Sequence, residues 1–196
     1  MPRGIAIPQL RQHLFAAAET VVLRDGPAKL TGRAVTLEAG VATGIIYTHF
    51  ADFDGFLAAY AVDRSFTIAA APGFAERVGT GEVAANLADG LAAVPRPALT
   101  ALARLLAMRP ELVARIEDVL GAGGSGIDAV ERAAAEYLAA EQVAGRLGAG
   151  ADPAALALAA VSVLHRLVLA GSGDLDRLRG AVAALVAGTA GAHGPA

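Results

Sequence analysis

Apolar positions recur along the chain at intervals of three and four, the spacing of one helical face, and the pattern predicts almost no sheet. Leu10, Leu14, Ala17, Ala18, Val21 and Val22 share a face, so a first helix is expected over residues 8–25, stopped by Gly26 and Pro27. A short helix is expected after Thr31, then a break at Gly40, then a second short helix over 43–49. A longer helix follows Asp52, which is placed to cap it, and Pro72 ends it. Further helices are expected over 76–94, 98–108, 110–120, 127–147, 153–170 and 175–188, nine or ten in all. Pro110 and Pro153 suit first turns, Asp152 and Asp174 suit N-caps, and Gly121, Gly148 and Gly171 suit C-terminal stops. Residues 121–126 read as a flexible loop, the residues after Gly188 as a frayed end, and no fixed-period repeat is present.

The two short helices are too short to be stable alone, so they must pack on the long helices around them. Val35, Val41, Ile46, Phe50 and Leu57, with the apolar face of the first helix, are the natural filling, which turns Arg33, Thr43, Thr48 and His49 outward. The expected architecture is all-α: a three-helix head over residues 1–60 and a larger helical domain over 61–196.

Composition sharpens this picture. Hydrophobic residues make up 55% of the chain and the mean hydropathy is +0.52, but the longest strongly apolar stretch, 154–164, is closed by His165 and Arg166. That is short of the roughly 20 residues a spanning helix needs, so no membrane partner is expected. So much apolar surface implies burial between subunits or around a cavity. The chain has no cysteine, which removes disulfides and thiolate chemistry together, and residues 1–8 lack the apolar core of a signal peptide, so a cytoplasmic protein is expected. Net charge is −3, so any affinity for nucleic acid has to come from a local surface.

The informative segment contains Thr31, then Ala39-Gly40-Val41, then Gly44, Tyr47, His49 and Phe50. In order and spacing this resembles the helix-turn-helix of the TetR family of transcriptional regulators, over about the first sixty residues. A looser likeness follows around Arg109-Pro110-Glu111 and over 145–153. The resemblance implies that Thr31, Tyr47 and His49 contact phosphates, helped by backbone N–H groups at the start of the second short helix. It implies that Ala42, Thr43, Gly44 and Thr48 face base edges. Arg33, on the exposed side of the first short helix, is the side chain able to make a bidentate contact to guanine. The implied partners are double-stranded operator DNA with a palindromic site, a second copy of the chain, and a small, mostly apolar effector, with repression as the family's default.

The sequence departs from the pattern at two positions, Phe53 and Thr36. Phe53, flanked by Asp52 and Asp54, stands where the family has a phosphate-binding lysine, and the five basic residues of 1–60 are balanced by five acidic ones. Modest affinity and a shallow salt dependence follow. Thr36 brings a hydroxyl that must find a backbone carbonyl.

In the larger domain the last two helices carry apolar stripes: Leu156, Ala160, Val163, Leu164, Leu167 and Val168 on one, Leu175, Leu178, Val182, Leu185 and Val186 on the other. They are expected to serve the core and a four-helix homodimer contact. Phe66, Phe74, Met108, Tyr137, Asn86 and Ser162 are candidates for a ligand pocket, and the helix after Asp52 is the expected transmission element between body and head.

Two other function classes stand beside the regulator: a helical dimeric interaction protein that has lost operator binding, and a small all-α enzyme. The enzyme is disfavoured because His13, His49, His165 and His193 lack ligand spacing and no nucleophile elbow or phosphate loop occurs. No catalytic residue, metal site or cofactor is expected.

Overall fold

The computed structural model describes residues 7–190, and among them it is helical throughout, with no strand. The head comprises α1 (Ile7–Asp25), α2 (Gly32–Glu38) and α3 (Ile45–His49). Then follow α4 (Phe53–Ala70), α5 (Val83–Ala93), α6 (Arg96–Met108), α7 (Glu111–Leu120), α8 (Gly126–Val143), α9 (Pro153–Leu169) and α10 (Leu175–Ala190). Short 3-10 turns at Pro27–Lys29 and Ala75–Arg77 complete the chain.

The caps are those the sequence implies. The Thr31 hydroxyl accepts the Ala34 N–H at 3.1 Å, Asp52 accepts Gly55 N–H at 2.6 Å, and Asp152 accepts the amides of Ala154 and Ala155. Asp174 accepts Arg177 N–H at 2.9 Å. The Thr36 hydroxyl, buried, donates back to the Gly32 and Arg33 carbonyls at 2.9 and 3.2 Å.

Three expectations need correction. The helix over 76–94 is broken, because Gly79 and Gly81 adopt φ of +75° and +47°, and α5 begins only at Val83. α8 ends at Val143 rather than near 147, with Gly145 at φ +72° as its stop in place of Gly148. The 121–126 loop is tied down: Gly123 N–H donates to Glu117 Oε1, and Gly126 N–H to the Ser65 hydroxyl, both at 3.1 Å. Residues 191–196, including His193, and residues 1–6 lie outside the described part, so the frayed end and the leader reading are not addressed by it.

Two apolar clusters fill the interior, and they part along α4 between Tyr60 and Ala61. The head's cluster holds Leu14, Phe15, Val22, Val35, Ile46, Phe56 and Tyr60, but it is completed by Ala101 and Leu105 from α6 and Leu112 from α7. The body's cluster is built on α5, α6, α8, α9 and α10, with Ala61 and Ile68 of α4. The helix α6 therefore belongs to both, one face turned to each.

The stripes of α9 and α10 are mainly core. Leu156, Ala160, Leu164, Leu167, Val168, Leu178 and Val182 are buried within the subunit, while Val163, Leu175, Leu185 and Val186 are half-buried. The outer face of α9 exposes Leu158 and Leu169, each 53% accessible, and a shallow groove between α9 and α10 is lined by Ser162, Val163, Arg166, Arg177 and Ala181.

Candidate nucleic-acid interface

All eight residues singled out for DNA contact, Thr31, Arg33, Ala42, Thr43, Gly44, Tyr47, Thr48 and His49, are exposed. Val35 and Ile46 anchor α2 and α3 from beneath with no accessible surface, and Val41 and Phe50 are half-buried beside them. The turn between the helices reverses at Gly40, whose φ of +64° suits glycine.

Local chemistry decides what each side chain can offer. The Thr31 oxygen is engaged as the α2 cap, but its proton is free to be donated to a phosphate. Thr48 is the reverse case: it is exposed and its hydroxyl donates to the Ile45 carbonyl at 2.7 Å, leaving that oxygen only acceptor capacity. Tyr47 is 59% exposed, and its hydroxyl lies 3.4 Å from where a Cβ on Gly32 would stand. The phenol thus leans over the first residue of α2, which brings the hydroxyls of Thr31 and Tyr47 to the same end of that helix. Gly32 is the residue sequence reasoning passed over, although a glycine in the first turn of a short helix is a costly choice that asks for a reason.

α3 is shorter than expected, starting at Ile45 rather than Thr43. Ala42, Thr43 and Gly44 lie in the turn before it, where Ile45 N–H donates to the Ala42 carbonyl and Tyr47 N–H to Gly44. Those two amides are used internally, so this end offers fewer free N–H groups than a regular helix start.

Most charges of the head are already engaged. Arg24 pairs with Asp25 and Glu38 at 2.8 and 2.7 Å; the Arg24 hydrogen bonds hold the Asp25 carboxyl below its usual range and raise the guanidinium. Arg11 lies over the rings of Phe15 and Phe50, 5.3 and 5.4 Å from their centroids. Arg33 has neither ion pair nor hydrogen bond, and with Lys29 it makes up the uncommitted cations of the described head. Phe53 stacks on Phe56, 5.7 Å between centroids, so its ring continues the head's aromatic cluster. His13 bonds the Ala39 carbonyl at 2.8 Å and is structural. Among the described residues no group of three His, Asp or Glu side chains could hold a metal ion.

Solved structures of the same architecture exist. A TetR-like transcriptional regulator from Rhodococcus sp. RHA1 aligns over 97% of this chain and 99% of its own, with 19% identity and a TM-score of 0.69. A TetR transcription regulator from Haloarcula marismortui ATCC 43049 aligns over 93% and 99%, with 15% identity and a TM-score of 0.67. The chain has the TetR fold. The transcriptional regulator FadR from Bacillus subtilis, solved in complex with stearoyl-CoA, is a further match, over 90% and 98% with 16% identity and a TM-score of 0.61. No protein-family profile and no curated protein sequence matches the chain.

In the body of this TetR fold the expected pocket residues do not converge. Phe74 and Tyr137 stack at 5.4 Å beside one groove, Phe66 lies exposed on another, Met108 on a third and Ser162 in the α9–α10 groove. Asn86 instead donates to the Arg77 and Thr80 carbonyls. A cavity of about 390 Å³ opens between α6, α7, α8 and α9, walled by Leu99, Leu102, Leu106, Val113, Ile127 and Leu169. Among the described residues no single helix is long and apolar enough to cross a membrane. The pair α5 and α6 passes that test only jointly, bent by 68° at the break.

Proposed function

We propose that the chain is a TetR-family transcriptional regulator that works in the cytoplasm, binds a palindromic operator as a homodimer and is released by a small, mostly apolar effector. Residues 1–60 would engage DNA, and 61–196 would supply the dimer contact and the effector site. The observation that supports the reading is that Thr31, Arg33, Ala42, Thr43, Gly44, Tyr47, Thr48 and His49 are all exposed, with Arg33 free of any partner in the protein. Arg33 would read a guanine, the hydroxyls of Thr31 and Tyr47 would hold the backbone with His49, and the turn and Thr48 would face base edges. Two heads related by a twofold axis call for half-sites about one helical turn apart, roughly 34–36 Å. That the Bacillus subtilis neighbour was solved in complex with stearoyl-CoA supports an effector for this chain as well.

The test is titration of the purified protein against the DNA upstream of its own gene, and against a random-sequence pool. Protection of a palindrome by the wild type, weakened at least tenfold in Arg33→Ala, is the expected outcome. Equal binding by both proteins would remove Arg33 from base readout, and absence of a selected sequence would remove operator binding. One observation favours a second reading, an interaction protein that has lost its operator: with Phe53 stacked inward and Arg11 and Arg24 engaged, the described head keeps few cations for phosphates. An empty random-pool selection is its expected result.

A further inference from the structure

The cavity between α6, α7, α8 and α9 is apolar on its walls but not at its rim. Arg104, Ser125, Asp128 and His165 contribute its polar groups. Asp128 is exposed and its carboxylate accepts the Ser125 hydroxyl at 2.5 Å, so that hydroxyl is committed while the carboxylate keeps its charge in contact with solvent. His165 is half-buried and makes no hydrogen bond. Arg104 is the one permanent cation lining the cavity, and it forms no ion pair; its Nη1 instead donates to the Leu23 carbonyl of α1 at a long 3.3 Å. That carbonyl belongs to the last turn of α1, where the helix leaves its acceptors unsatisfied and a cation is favoured.

One side chain therefore joins the rim of a body cavity to the end of a head helix, through a long bond to an uncharged carbonyl; a carboxylate carries a full opposite charge and can take two guanidinium N–H groups at once, so it would outcompete that carbonyl. We propose that the cavity takes a small amphipathic carboxylate, and that Arg104 is the group that changes partners, from the Leu23 carbonyl to the acid. The inference rests on the reading of the body as an effector domain. The apolar tail lies among Leu99, Leu102 and Leu106, and the acid meets Arg104 and His165 at the rim. The volume, about 390 Å³, is near the small end of the range for ligand sites, roughly 300–1,000 Å³. Release of Leu23 loosens the end of α1 and the 3-10 turn after it, on which α6 also packs.

The experiment is calorimetric titration of the full chain, without DNA, with octanoate, octan-1-ol and octylamine. Octanoate is expected to bind at least ten times tighter than octan-1-ol, with octylamine weaker than both. Arg104→Gln should bring octanoate down to the level of the alcohol, while Ala103→Phe, which fills the cavity, should weaken both. Amide exchange over residues 26–30 should quicken several-fold with octanoate in the wild type, and be quick in Arg104→Gln without ligand. Octanoate no tighter than the alcohol, unaffected by either substitution, or not bound at all, overturns the site. Octanoate bound with unchanged exchange overturns the change of partner. Because no DNA is present, failure here is separate from failure of operator binding, which the titration with DNA decides alone.

Discussion

At Tyr60 a hydroxyl is buried without a hydrogen-bond partner, beneath Phe15 and beside Arg64. Burial, with the Glu19 carboxylate next, pushes its ionisation well above the ordinary 10.0. An unpartnered buried hydroxyl costs about 1–3 kcal/mol, so Tyr60→Phe should be neutral to stabilising by about 1 kcal/mol in urea melts at neutral pH. The sign of the alkaline effect follows from linkage: the unfolded tyrosine ionises near 10 and the folded one does not, so stability present below that pH falls as pH rises beyond it. The wild type should lose stability above pH 10 more steeply than Tyr60→Phe, and equal slopes would show the group to be hydrated. Other residues follow the same logic of packing over label. Gly90 is required because a Cβ there would stand 2.3 Å from the Phe74 ring, a contact no helical pattern reveals.

Among the elements, α4 carries the connection between the clusters and is held at its start by two independent devices. Asp52 caps its first turn, and Asp54 pairs with Arg109 from the junction of α6 and α7 at 3.0 Å. Asp52→Ala should cost about 1 kcal/mol and leave the fold intact, measurable as a lower urea midpoint with unchanged slope. An unchanged midpoint would show that packing of Phe56 and Leu57 alone defines where α4 starts. The element boundaries illustrate how much of this was legible. Thr31, Asp52, Asp152 and Asp174 cap helices at the expected places, because a cap is a contact within four residues and is written locally. The break at Gly79 and Gly81 was missed because the apolar spacing continues across it, and what stabilises the kink is remote: Glu141 of α8 accepts Gly79 N–H, and Arg146 bonds the Thr80 and Gly81 carbonyls.

Across the whole molecule, head and body share core residues, so a single cooperative transition is expected of them. Leu105 and Leu112 lie in the head's core although they come from body helices, so Leu105→Ala should destabilise by about 2–5 kcal/mol and lower a single calorimetric transition. A head that melts separately would contradict the shared core. The all-α class, the order of the helices, the N-caps Thr31, Asp52, Asp152 and Asp174 and the Thr31-to-Phe50 pattern were readable in the chain, since each depends on spacing of a few residues. Four things depended on the packed chain, because they join residues far apart in sequence. They are the burial of the α9 and α10 stripes inside the subunit, the scattering of the expected pocket residues, the cavity between α6 and α9, and the reach of Arg104 across 81 positions to Leu23. Helical periodicity says that a face is apolar. Which neighbour covers that face is a property of the whole core, and here it turned α6 into a helix shared by two clusters.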